Sequence, residues 1–214
     1  MTRTIVCFGD SNTHGADPSR VGGRLSRDER WPRVMGRTLG DEYEVIEEGL
    51  NGRCTIWDSP IHPGRNGLTY LEPCLLSHAP LDLVIIMLGT NDLKTAYGLT
   101  APDIAVGAAR LVEAAQRTLS GPDGMPPKVL LVSPVPIGKI TRASEVWGLG
   151  EGYDKSRELA RLYEVVAEQY DVGFFDAGSV AETHPDDGVH LGAAACAKLG
   201  PAMAKAVEAE LARG

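Results

Sequence analysis

The sequence predicts an α/β protein, a three-layer α/β/α domain on a mostly parallel five-stranded sheet, from three observations. Five short apolar bursts rich in Val, Ile and Phe alternate with longer stretches of helical spacing. One burst, LDLVIIMLG at 81–89, is apolar along almost its whole length, as a strand covered on both faces requires. The bursts end in Gly, Pro or small residues, and strands that alternate with helices in this way build parallel sheets with helices on both faces.

The expected strands are TIVCFG (4–9), YEVIEEG (43–49), LDLVIIMLG (81–89), KVLLVSP (128–134) and VGFFDAG (172–178). Between them, residues 29–39, 68–78, 102–119, 153–170 and 191–212 carry helical spacing. In 153–170, Leu159, Leu162, Tyr163 and Val166 follow the i, i+3, i+4, i+7 rule, while Glu158, Arg161, Glu164 and Glu168 fill the other face. SGPDGMPP (120–127) and PVPIGKITRASEVWGLGEG (134–152) read as loops within one domain spanning 1–214. The second is long enough for a lid or a subunit contact, with 137–150 expected to shape a pocket.

Composition narrows the partners. The 214 residues are 43% hydrophobic and 23% charged, a globular balance, and the net charge of −8 comes without any Lys/Arg cluster. Nucleic acid and anionic membranes are therefore excluded as expected partners, leaving a small molecule. No apolar run approaches the 18 residues of a membrane span. Cys7, Cys54, Cys74 and Cys196 are widely spaced, without C-x-x-C pairs or histidines in ligand spacing, so free thiols and no metal are expected. With an opening MTRTIVCFGD that reads as a strand entering a turn, they point to the cytoplasm.

Ligands of open parallel sheets bind beyond the carboxyl ends of the strands, so the residues following each strand carry the function. Gly9-Asp10-Ser11-Asn12 follows the first, Gly49-Leu50-Asn51-Gly52-Arg53 the second and Gly89-Thr90-Asn91-Asp92 the third, while HPDDGVHLG follows the last. A serine hydroxyl needs an adjacent base, usually a histidine oriented by a third group. Asp187 and His190, three residues apart, fit that need: the carboxylate accepts from Nδ1–H and leaves Nε2 free for Ser11. The backbone N–H groups of Ser11 and Gly52 and the side-chain amide of Asn91 are candidate donors to an oxyanion. Such a histidine base predicts activity that rises with pH.

These residues resemble a known family. FGDSNTHG with Ser11, GLNGRCT with Gly52, GTND with Asn91 and DGVH with Asp187 and His190 are similar, in order and spacing, to the four blocks of the GDSL/SGNH hydrolases. YEVIEEGLNGR and LDLVIIMLGTND look most like the bacterial arylesterase and acyltransferase branch. The resemblance implies a flavodoxin-like sheet of order 2-1-3-4-5, Ser11 as nucleophile, His190 as base and Asp187 as its orienter. It further implies hydrolysis of short-chain esters, acyl transfer to alcohols or peroxide, no cofactor, and a homo-oligomer. Asn12 stands where the family usually has Leu, and His14 and Ala16 where the branch tends to carry tryptophans, so a more polar acyl pocket is expected.

Other residues admit two readings. Asp10 braces its turn rather than reacting. Asn12 and His14 are expected at the pocket, Arg53 either binds an acidic group of the substrate or holds its loop, and Trp57 either walls the pocket or packs in the core. His62, His78 and His184 have no partner at telling spacing and read as surface or loop residues, and Asp186 lacks the D-x-x-H spacing of its neighbour. Cys7 and Cys54 read as packing residues. Among rival functions, metal-dependent phosphoester hydrolysis lacks the paired D-x-H ligands. A nucleotide- or flavin-binding module would set Asp10 against a phosphate. A carbohydrate or natural-product O-deacetylase of the same fold remains an alternative within the preferred class.

Overall fold

The computed structural model describes residues 2–213. Five parallel strands form one sheet in the order β2-β1-β3-β4-β5. These are β1 (Arg3–Gly9), β2 (Tyr43–Gly49), β3 (Leu83–Met87), β4 (Lys128–Ser133) and β5 (Gly173–Asp176). β1 is flanked in register by β2 and β3, so that Gly9 lies opposite both Gly49 and Met87. The helices between them are α1 (Ser11–His14), α2 (Trp31–Leu39), α3 (Gly67–Ser77), α4 (Ala101–Arg117), α5 (Gly152–Tyr170) and α6 (Ala193–Ala212).

Alternation along the strands divides the core in two. Val6, Phe8, Val84 and Ile86 face α3, α4 and α5, where Leu71, Ile104, Leu159 and Tyr163 meet them. Ile5, Cys7, Leu83 and Ile85 face α2 and α6, against Trp31, Met35, Leu199 and Met203. All five β3 residues are buried, which explains the unbroken apolar run. Fully burying one such side chain contributes roughly 1.5–3 kcal/mol, so these paired cores fix the strand order and hence which loops meet.

The strands and long helices fall close to their expected bounds, and short helical turns are added in the loops. Ser11 opens a four-residue helix rather than sitting in a plain turn; Asp10 caps it by accepting from the Asn12 N–H at 2.9 Å, and Gly15 closes it at φ 84°. This turn sits directly on β2, where a Cβ on Gly49 would lie 2.1 Å from the His14 nitrogen. Only glycine leaves that room. Cys7, Cys54, Cys74 and Cys196 are all free and buried. Among the described residues, no helix is long and apolar enough to cross a membrane.

Candidate active site

The three glycine-bearing turns and the 187–190 segment converge at the carboxyl edge of the sheet. His190 Nε2 lies 2.9 Å from Ser11 Oγ, and His190 Nδ1 lies 2.7 Å from Asp187 Oδ2. With Nδ1–H donating to the carboxylate, Nε2 is left to accept from the serine hydroxyl. Asp187 Oδ1 meanwhile accepts from the backbone N–H groups of Val189 and His190 at 2.8 and 2.9 Å. Burial pushes the Asp187 carboxyl up, but these donors and the His190 ring outweigh it and hold it below its ordinary value of 3.8. The carboxylate is therefore ionised, buried and engaged by two backbone N–H groups and the His190 ring.

Gly52 adopts φ 80° and Gly89 φ 126°, both in the left-handed region that favours glycine. A Cβ on Gly89 would lie 2.5 Å from the Tyr163 hydroxyl, which itself donates to the Leu88 carbonyl at 2.8 Å. α5 thus presses on the end of β3 and sets where Asn91 begins its turn. Asn91 is 7% exposed and lines the same cavity as Ser11 and Gly52. Its amide donates to the Arg53 carbonyl at 3.1 Å and approaches Asp10 Oδ2 at 3.5 Å, which orients it. Among the described residues the Gly52 N–H has no acceptor, and Ser11, first in its helix, keeps its own N–H unpaired.

The cavity holds about 330 Å³. Its wall differs from the one the sequence suggested, for Asn12, His14, Arg53 and Trp57 do not line it. Asn12 is buried and spans two loops instead: its Oδ1 accepts from the Leu191 N–H at 2.9 Å and its Nδ2 donates to the Val189 carbonyl at 3.3 Å, bracketing His190. Arg53 donates to the carbonyls of Gly9, at 3.0 Å, and Glu48. Its guanidinium lies 4.2 Å from the Phe8 ring centroid, so it clamps the ends of β1 and β2. The His14 carbonyl accepts from Arg24 Nε at 2.8 Å, and burial lowers the pKa of its ring. Trp57 packs against the α3–α5 core.

The 137–150 loop lines the cavity as expected, through Ala143, Trp147 and Leu149, and residues outside the expected set complete the wall. Trp147, in the 134–152 loop, meets His190 edge-on with ring centroids 5.3 Å apart. That loop is strapped over the 184–190 segment: Ser144 Oγ donates to the Asp187 carbonyl at 2.6 Å, Thr141 Oγ1 to that of Asp186 at 2.9 Å, and the Gly138 N–H to that of Gly188 at 2.7 Å. Lys94, Arg65, Arg20 and His62 also face the cavity. Long loops carry no periodicity, so only the predicted strand ends could have hinted at Lys94, three residues after Asn91. His184 contributes its backbone, accepting from the Gly188 N–H at 2.8 Å.

One other group among the described residues could hold a metal. Ligand atoms of Glu48, Cys74 and His78 lie within 4.8 Å of one another, but none of the three lines the cavity and His78 Nε2 is already 2.9 Å from Glu48. The Arg53 guanidinium, 5.2 Å from the adjacent Tyr70 ring centroid, supplies positive charge beside it.

A parallel α/β sheet that carries a Ser–His–Asp chain with two unpaired backbone N–H groups at its carboxyl edge is the architecture of a hydrolase. The sequence profile of the GDSL-like lipase/acylhydrolase family matches residues 7–198, and the chain belongs to that family. An aryl esterase from M. smegmatis is 43% identical with a TM-score of 0.93, the match covering 98% of this chain and 100% of that one. A carbohydrate acetylesterase from Sinorhizobium meliloti is 42% identical with a TM-score of 0.91, covering 97% and 99%. An acetylxylan esterase from Xylanibacter ruminicola is 26% identical over 223 residues, 95% of this chain. The chain spans 43% of that curated relative's length.

Proposed function

We propose that the chain is a carboxylic ester hydrolase that cleaves short-chain, acetyl-like esters through an acyl-enzyme. The observation that carries this reading is the 2.9 Å approach of His190 Nε2 to Ser11 Oγ, with Asp187 behind the ring. As Oγ bonds to the ester carbon, its proton passes to Nε2, and Asp187 stabilises the resulting imidazolium. The carbonyl oxygen becomes an oxyanion held by the N–H groups of Ser11 and Gly52 and the Asn91 amide. Collapse breaks the bond to the alcohol oxygen, which leaves with the proton from Nε2. Water, deprotonated by the same nitrogen, then releases the acid and restores the serine. Nothing in this sequence of steps draws on a cofactor.

A fluorophosphonate probe is expected to label Ser11, and Ser11→Ala to abolish both labelling and p-nitrophenyl acetate hydrolysis. Full activity in that variant would overturn the mechanism. O-deacetylation of a carbohydrate is the second reading, favoured by the acetylesterases among the relatives. Transfer of the acyl group to an alcohol or to peroxide follows if either replaces water at the acyl-enzyme. An acetyl-to-octanoyl panel with water and an alcohol competing as acceptors separates transfer from hydrolysis.

The same reading takes residues 1–214 as one catalytic domain, Met1 and Gly214 lying outside the described residues, since one sheet carries every converging loop. Homo-oligomerisation is supported by Val21, Ile61 and Val146, which are 95%, 70% and 84% exposed on loops beside the cavity. Light scattering of the purified chain tests it. Four free, buried thiols fit a cytoplasmic enzyme.

A further inference from the structure

The cavity wall carries an excess of positive charge that the ester chemistry above leaves unused. Lys94, Arg65 and Arg20 face it, in a protein whose net charge is −8. Among the described residues, none of the three has a carboxylate within 4 Å. Arg65 donates from Nη1 to the Pro63 carbonyl at 3.1 Å, but its Nε is buried without a partner. That nitrogen lies 3.5 Å from where a Cβ on Gly52 would stand, so the guanidinium runs along one oxyanion donor. Lys94 is tied to another, Asn91, its backbone N–H donating to the Asn91 carbonyl at 3.3 Å.

The acids nearby are already engaged. Asp17, on the wall, accepts from both the N–H and the hydroxyl of Ser19, and Asp187 serves His190. Asp10 and Asp92 lie behind Lys94, the first accepting from Asn12 and Asn91, the second from Thr55. Burial lowers the Lys94 pKa, those two acids work against the shift, and Arg65 adds to it, so two like charges share a desolvated wall. Asp10 and Asp92 oppose that charge from outside the cavity lining, so an anion that enters the cavity meets Lys94 and Arg65 without breaking an ion pair.

We infer that the pocket is built for esters that also carry a carboxylate, with Lys94 and Arg65 receiving it beside the oxyanion donors and Arg20 drawing it in at the rim. The inference rests on the esterase reading and narrows its substrate class to acyl esters of acidic molecules. It is distinct from stabilisation of the oxyanion itself. Charges that only served the oxyanion would speed neutral and anionic esters alike, whereas a carboxylate receptor discriminates between them.

Two matched pairs test it with the intact protein. For an anion on the alcohol side, 4-acetoxybenzoate is compared with its methyl ester; for an anion on the acyl side, p-nitrophenyl hydrogen adipate with p-nitrophenyl hexanoate. Each kcat/KM ratio is divided by the corresponding ratio for hydroxide. At least one pair is expected to favour the anion by about tenfold or more, the scale of a charge-assisted hydrogen bond. That preference should shrink to within about twofold in Lys94→Met/Arg65→Met. It should also fall as salt is raised from low to high concentration, because ions screen the attraction to the anion and leave the neutral ester unaffected. If the double variant does not fold, the salt series on the wild type decides. Parity or a neutral preference in both pairs, or an anion preference insensitive to salt and to the substitutions, overturns the inference while leaving the esterase intact. Absence of turnover with all four esters, together with no labelling of Ser11, overturns the esterase reading and this inference with it.

Discussion

Asn91 and Asn12 are two amides with opposite tasks, and substitution separates them. Asn91→Ala removes one proposed oxyanion donor and is expected to lower kcat by about 10²–10³-fold, or roughly 2.7–4 kcal/mol, and because it also takes the donor from the buried Arg53 carbonyl its urea midpoint falls as well. Stopped assays with p-nitrophenyl acetate check the rate. Asn12→Ala instead leaves the Leu191 N–H and the Val189 carbonyl without their partner on the first loop. Unpaired buried groups of this kind cost about 1–3 kcal/mol, so its urea midpoint falls. The kcat falls too, by up to about 10²-fold if His190 drifts from Ser11. An Asn12→Ala variant with wild-type stability and rate would show that the bracket around His190 is dispensable. That Ser11, His190 and Asp187 come within hydrogen-bond reach, and that glycines stand in the turns beside them, was legible from residue type and spacing. For Arg53 and Trp57 the loop-holding and packing readings are the ones the structure shows, while the pocket role expected of Asn12 was not realised, since a polar side chain beside a nucleophile in sequence can turn inward to satisfy backbone groups.

At the scale of elements, the 184–190 segment holds its shape through a glycine and a strap. Gly188 has φ 71°, and a Cβ there would lie 2.2 Å from the Lys139 carbonyl oxygen. Gly98 has a similar φ of 63° but open space around it. Gly98→Ala should therefore cost only the left-handed penalty, about 1–2 kcal/mol, and keep its activity. Gly188→Ala should cost more, because the strap must also move, and should lower kcat/KM by at least about tenfold as Asp187 and His190 shift with it. Thermal melts and p-nitrophenyl acetate assays on both variants check the contrast; equal losses would mean the strap yields freely. The sequence marked 134–152 as a long loop with room to be a lid. That it packs Trp147 on His190 could not be read there, because loop contacts follow no period.

For the molecule as a whole, buried carboxylates tie stability to pH in opposite directions. Asp92 is fully buried beneath the joined second and third loops, accepting from the Thr55 N–H and hydroxyl, and burial raises its pKa from 3.8 to about 6. A group whose folded pKa is raised binds its proton more tightly when folded, so its contribution is full below about 3.8 and is lost as pH climbs to about 6. Asp187, held below 3.8, contributes above that value and loses its contribution as pH falls beneath it. Asp92→Asn should consequently flatten the decline in stability between pH 4 and pH 6.5, a difference of about 3 kcal/mol at most, read from urea midpoints at both pH values. An unchanged slope would mean another group carries it.

Local chemistry in the sequence was enough to determine the strands, most helix bounds, the parallel sheet, and the residue types of a serine hydrolase in their four blocks. Strand and helix periods are set by backbone geometry, and the blocks by the turns that follow the strands, so both are written in short stretches of chain. Tertiary structure alone decided which side chains look into the cavity. Arg53 clamps two strand ends, Asn12 braces the histidine, and Lys94, Arg65 and Trp147 come to the wall from three separate loops. Their neighbours are brought together by the packing of helices on both faces of the sheet, across separations that no sequence period spans.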